Sequence, residues 1–181
     1  MKIHYLLILM MILVCSCKSP EARRPVTYSS GTFIKESAAR NKILFEKERQ
    51  AILKIIASRT TDSFETSNNG FWYSYNTKID SIAVKPDFGD ILSFDYDVKD
   101  LSGNVIYSKE ELKTQNYIMD KEELFSGLRE GLKLMKAGET VTFIFPSDLA
   151  FGYYGDENKI GTNIPLICEV TLNSIIPNTT N

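Results

Sequence analysis

KEELFSGLREGLKLMKAGETVTFIFPSDLAFG, residues 121–152, is the stretch that decides the fold. Leu124, Leu128 and Leu132 recur in steps of four and mark one apolar face of a helix predicted over 121–134. Asp120 stands where a side-chain oxygen can cap the first turn, and Glu122 and Glu123 suit the positive end of the helix dipole. Gly138-Glu139 turns the chain. Val141, Phe143 and Phe145 then alternate as one face of a strand that stops at Pro146. Ala150-Phe151-Gly152 opens a loop over 147–163 carrying Gly152, Gly155 and Gly161. Loops of that length in compact domains are mostly functional or disordered.

Short strands flank this core segment. Residues 71–75 are aromatic and strand-prone. Leu92, Phe94, Tyr96 and Val98 alternate with Ser93, Asp95, Asp97 and Lys99, the pattern of a half-buried strand. Ser102-Gly103-Asn104 turns the chain into 105–107, and 115–119 is a further short strand. Leu166, Cys168, Val170 and Leu172 face inward on the last one. Five or six antiparallel strands with one short helix predict an α+β domain over 71–176, followed by a polar tail at 177–181.

Before it, residues 34–58 hold no Gly or Pro. Ala38, Leu44, Phe45, Ala51, Ile52, Ile55 and Ile56 form an apolar stripe, so an N-terminal helix is predicted there. Two readings are open: the stripe packs on its own domain, or it is an arm for homodimerisation or client binding. The polar segment 59–70 reads as a hinge. With that hinge, a chain beginning near Asn69 is expected to fold alone, the helix adding association or client affinity.

The first residues read as a targeting device. Lys2 precedes an apolar run over 5–14, too short to span a bilayer permanently, which ends in Val14-Cys15-Ser16-Cys17. This resembles a bacterial lipobox, with 1–16 as the signal peptide, Cys17 as the acylated new terminus and 17–33 as a flexible tether. Several acyl chains, at roughly 0.8 kcal/mol per buried methylene, would hold the protein to a membrane. A plain secretory signal or a short anchor helix is the alternative.

Composition excludes several function classes. The 181 residues are 43% hydrophobic, and 21 basic against 23 acidic residues give a net charge of −2 with no basic stripe. Nucleic acid is not an expected partner. The one histidine, His4, lies in the signal segment, so a processed chain has none. That removes Ser-His-Asp and Cys-His catalysis and His-based zinc sites. No phosphate-cradling glycine loop is present. After acylation of Cys17 only Cys168 remains as a thiol, which leaves no intrachain disulfide. Asp95, Asp97, Asp100 and Gly103 suggest a calcium loop, but Ile106 stands where the bidentate Glu is required. Neither a metal nor a cofactor is expected.

Taken in order, Leu124-Phe125, Gly127, Leu128, Gly131, Met135, Gly138-Glu139 and Phe151-Gly152 resemble the C-terminal half of the FKBP-type peptidyl-prolyl cis-trans isomerases. The resemblance covers 70–176. It implies a curved antiparallel sheet wrapped around one short helix, with a proline-sized pocket between them. It also implies site residues: Tyr96 at the pocket edge, Leu124 and Phe125 at the helix start, Leu128 as floor, Phe151 on the loop and Ile160 on the flap. The backbone N–H of Phe125 would meet a ligand carbonyl. Ile106, Tyr107, Gln115 and Cys168 fall at surrounding substrate-binding positions.

This chain departs from the family pattern at several of these positions. Leu128 replaces the usual tryptophan floor and Phe151 lacks the usual tyrosine hydroxyl. Tyr107 replaces an acid, and Gln115 and Cys168 replace aromatics. A wider, less preorganised pocket is therefore expected. The implied activity is prolyl isomerisation on proline-containing protein clients. The alternative is a non-catalytic chaperone or interaction module on the same fold. Lipobox, helix and domain together resemble gliding-motility-associated isomerase lipoproteins, implying a lipid-anchored protein of the cell envelope that faces the periplasm.

Overall fold

The structure, a computed structural model, describes residues 30–80 and 82–179. The expected signal peptide, Cys17, most of the 17–33 tether and the last two tail residues lie outside the described residues. By internal contacts the chain forms two compact units, Met1–Ala38 and Ala39–Asn181.

Helix α1 spans Ser30–Ser58, four residues earlier than the apolar stripe alone marked. Within the second unit, its C-terminal part buries Ile52 completely. Leu53 and Ile56 pack beside it against Trp72, Ile144 and Ile167, joined by Phe64 and Leu101. Ala38 and Phe45 of the stripe are exposed, as is Ile43 beside it, so the stripe is not buried along its length. Of the two readings of the stripe, packing on its own domain holds for this part. The segment read as a hinge contains a two-residue strand, β1 (Glu65–Thr66), paired with β2 (Trp72–Thr77).

The other strands are β3 (Ile91–Tyr96), β4 (Val98–Lys99), β5 (Val105–Tyr107), β6 (Gln115–Ile118), β7 (Thr140–Phe145) and β8 (Leu166–Ile176). All pair antiparallel in one sheet of order β1-β2-β7-β8-β3-β6, with β4 and β5 branching from β8. There are eight strands rather than five or six. One addition is β1, and another comes from a break in the strand expected across 92–98. At the break the Asp97 carboxylate accepts the Glu169 N–H at 3.1 Å and pairs with Lys99 at 2.7 Å. Irregular register between Ser93 and Phe94, and between Tyr75 and Thr77, bends the sheet.

Register places the core. Phe143 opposes Tyr73 and Cys168, Val141 opposes Val170, and Tyr96 opposes Val170 on the other side of β8. These side chains share one face with Phe71, Phe94, Phe145 and Leu172. Trp72, Ile144 and Ile167 take the opposite face, the one that α1 covers.

The helix expected over 121–134 is shorter: α3 is Ser126–Leu132. Asp120 does not cap it. That residue adopts a φ of +58°, and its carboxylate pairs with Lys133 at 3.1 Å and Arg129 at 3.6 Å on α3. Glu122 lies before the helix, where its carboxylate accepts the Ile118 N–H at 2.9 Å. The left-handed turn at Asp120 redirects the chain, so the periodic apolar run begins ahead of any helical turn. A further helix, α2 (Lys109–Leu112), starts at Ser108, whose hydroxyl accepts the Glu111 N–H at 3.3 Å.

Candidate functional site

Two glycines bring α3 down onto β7. A Cβ at Gly127 would lie 2.6 Å from a ring carbon of Phe145 and 2.8 Å from the Leu149 carbonyl. One at Gly131 would lie 3.0 Å from the Phe143 ring. Only hydrogen fits at this approach. Seated so closely, α3 drives Leu128 into the core with no exposed surface.

Phe125 is the last residue before α3, with extended backbone and no side-chain cap. Its N–H has no protein acceptor among the described residues. Its half-buried ring meets Phe145 with centroids 5.5 Å apart and Phe151 at 5.2 Å. Leu124, Phe151 and Tyr96 are likewise half-buried against the same core. Burial pushes the Tyr96 phenol up to about 12, with Cys168 and Tyr107 adding to the rise, so it stays a neutral donor through the physiological range. That hydroxyl also has no protein partner among the described residues. Two donors beside apolar rings are thus uncommitted among the described residues, a backbone N–H and a phenol. That combination suits a peptide segment offering carbonyls beside an apolar ring.

The long loop is braced rather than loose. Asp156 accepts the N–H groups of Asn158 at 3.0 Å and Ile160 at 2.7 Å, and its own N–H donates to the Ile160 carbonyl at 3.1 Å. The Tyr107 hydroxyl donates to the same carboxylate and accepts from the Asn158 amide at 3.0 Å. Lys159 lies 4.6 Å from the Tyr107 ring centroid, donates to the Ile106 carbonyl at 3.3 Å and pairs with Glu111. Gly155, at φ +70°, allows the tight closure, since a Cβ there would sit 2.1 Å from the Ile160 carbonyl. Ile160 is buried as a result. The substitutions led to an expected pocket that is less preorganised, and these bonds hold the loop on one side of it. Tyr107, where the family has an acid, recruits a loop carboxylate instead.

Ile106 thus contributes its carbonyl to the brace, besides packing on the core. Cys168 is completely buried beneath the site, and burial pushes its thiol well above the usual range. It is a wall atom of the core rather than a contact surface for substrate. Gln115 is directed elsewhere: its amide donates to the carbonyls of Leu112 at 2.5 Å and Lys113 at 3.3 Å, closing the end of α2. Clefts of about 450 and 280 Å³ beside β1 and β2 are lined by none of the ten expected residues.

Sequence reasoning missed several supporting groups. Buried Glu139 accepts the N–H groups of Ile79 at 3.0 Å and Lys136 at 2.8 Å, which explains the Gly-Glu turn. Glu48 of α1 is also buried and bonds to Ser147. The 99-residue separation gives no local sign of that contact. The Asp156 brace could have been suspected from an acid beside Gly155 in so long a loop.

Comparisons with known proteins agree with this geometry. A family model described as FKBP-type peptidyl-prolyl cis-trans isomerase matches residues 83–173. A probable FKBP-type peptidyl-prolyl cis-trans isomerase FkpA of Neisseria meningitidis serogroup B is 28% identical over 127 residues. That match covers 70% of this chain and 45% of the relative, so the chain spans under half of the relative's length. Among solved structures, a peptidyl-prolyl cis-trans isomerase of Pseudomonas syringae pv. tomato matches with a TM-score of 0.60 at 20% identity, covering 75% of this chain and 96% of that one. FkpA from Escherichia coli matches with a TM-score of 0.61 at 20% identity, covering 96% of this chain and 82% of that one.

Proposed function

Since the chain belongs to the FKBP-type peptidyl-prolyl cis-trans isomerase family, we propose that it isomerises prolyl bonds of protein clients at the surface formed by Tyr96, Leu124, Phe125, Leu128, Phe151 and Ile160. The observation that carries this reading is the Phe125 N–H, unpartnered among the described residues, beside the aromatic pair of Phe125 and Phe151.

Rotating a prolyl bond crosses a barrier of about 20 kcal/mol set by amide resonance. No bond need be broken, so the site acts by holding the twisted amide better than either planar form. The proline ring rests on the half-buried aromatic rings, with Leu128 packed beneath them in the core. The Phe125 N–H takes the carbonyl on one side of the twisted bond, and the neutral Tyr96 hydroxyl is the second donor. Each tenfold acceleration corresponds to about 1.4 kcal/mol of such selective binding.

Phe151→Tyr should raise kcat/KM, up to about tenfold, if the loop hydroxyl reaches the bound chain. A peptide isomerisation assay on the variant and wild type checks this. An unchanged value would show that the loop ring serves only as an apolar wall. Leu128→Trp is not expected to help, because Leu128 is already fully enclosed and a larger ring would overpack the core.

A second reading, a non-catalytic chaperone on the same fold, is favoured by the absent hydroxyl at Phe151. Suppression of client aggregation without acceleration of prolyl isomerisation would select it.

We also propose a lipid-anchored place in the cell envelope, facing the periplasm, through acylation at Cys17. Ser16 and the apolar run before it support this. Cys17→Ala should abolish incorporation of radiolabelled fatty acid, whereas Cys15→Ala should not; the reverse pattern would move the site to Cys15. Gliding-motility proteins are the client class implied by the resemblance of signal, helix and domain. Homodimerisation through α1 is a further proposal, supported by the exposed Ile43 and Phe45.

A further inference from the structure

The geometry points to Glu48 as a positioning residue for the proposed isomerase site, an inference that rests on the function proposed above. Glu48 lies on α1, far from the apolar surface in sequence, yet its side chain is 6% exposed. One carboxylate oxygen accepts the Ser147 N–H at 2.9 Å and the other accepts the Ser147 hydroxyl at 2.7 Å. Ser147 is 1% exposed, so water does not reach these donors. Its carbonyl in turn accepts the N–H of Gly152 at 2.8 Å and of Ala150 at 3.1 Å. Phe151 sits between these two bonded residues. The same turn is tied to the helix start, where the Ser126 hydroxyl donates to the Leu149 carbonyl at 3.3 Å. A hydrogen-bonded path therefore runs from Glu48 through Ser147 to the residues on both sides of the Phe151 ring.

Removing the carboxylate leaves two buried donors unpaired, and a turn in that state relaxes toward other partners. Relaxation carries Phe151 away from Phe125. Misplacement of about 1 Å can cost about a hundredfold in rate. A purely structural carboxylate would instead lower stability and leave the rate of the folded protein alone. Ile52 supplies the control. It is fully buried on the same helix but packs on Trp72, Ile144 and Ile167 rather than on the loop.

The test compares Glu48→Ala, Glu48→Gln and Ile52→Ala in the full chain, at a temperature where circular dichroism shows each folded. Turnover of a proline tetrapeptide and amide exchange at Gly152 are measured together. Glu48→Ala is expected to lose about tenfold or more in kcat/KM and to speed exchange at Gly152. Glu48→Gln should recover both, because its amide oxygen can accept the Ser147 N–H while its NH₂ donates to the hydroxyl oxygen. Ile52→Ala should lower the Tm and change neither readout. If Glu48→Ala behaves like Ile52→Ala, with kcat/KM and Gly152 exchange at wild-type values, the inference is overturned. If the wild type itself proves inactive, the proposed function falls, and Gly152 exchange alone decides whether Glu48 holds the loop.

Discussion

A chain shortened to begin at Asn69 is expected to unfold at a Tm more than about 10 °C below that of the full chain. Such a chain loses β1 and the whole of α1, leaving the outer face of Trp72, Ile144 and Ile167 uncovered. Ile52 alone is fully buried there, and burial of such a side chain is worth about 1.5–3 kcal/mol. With the half-buried Leu53 and Ile56, the loss comes to about 3–5 kcal/mol, and each kcal/mol shifts the Tm of a domain near this size by about 4 °C or more. Thermal unfolding of the two chains checks the figure. Equal Tm values would favour the expectation that α1 serves association or clients rather than the stability of the domain.

Leu128→Ala is expected to cost about 2–5 kcal/mol and to depress isomerisation by a folded variant. Leu128 has no exposed surface and sits where α3 presses closest to β7. The glycines that permit this approach fix the backbone, so the void cannot close by moving the helix inward. The remaining cavity lies in the core beneath the half-buried rings of the proposed site. Denaturant unfolding measures the stability loss, and activity well below the transition measures the second effect. A cost under about 1 kcal/mol would show that the floor is soft and that Leu128 is not the residue on which the site rests.

How much of this was legible depended on the range of each interaction. The alternation of Leu166, Cys168, Val170 and Leu172 matched their burial because this face of β8 meets the core over 166–172. The glycines at 127 and 131 were legible as a framework because their role is a steric contact that no other residue tolerates. The helix boundary was not. Steps of four among Leu124, Leu128 and Leu132 describe packing equally well across a turn and a helix, and the left-handed Asp120 decided between them. The break at Asp97 escaped because a polar residue in an alternating strand carries no sign that its side chain will replace a ladder bond.

In the candidate site, Tyr96, Leu124, Phe125, Leu128, Phe151 and Ile160 are all core or core-packed residues. Gln115 was assigned by position in the family pattern, but its amide turns to the end of α2, a local choice that alignment does not carry. The bonds from Glu48 to Ser147 and from Tyr107 to Asp156 join distant segments through side chains. Neither periodicity nor spacing encodes such pairs.

The central claim is that the apolar surface at Phe125 turns prolyl bonds over. The most direct measurement is the rate at which the purified wild-type chain, from its tether onward, speeds a proline-limited refolding reaction, with an unfolded client lacking slow proline steps run beside it. The account predicts acceleration that rises with protein concentration and falls on Phe125→Ala, in a variant that circular dichroism shows to be folded. A refolding rate at the uncatalysed value, together with undiminished protection of the unfolded client from aggregation, would contradict it and leave a binding module on an isomerase fold.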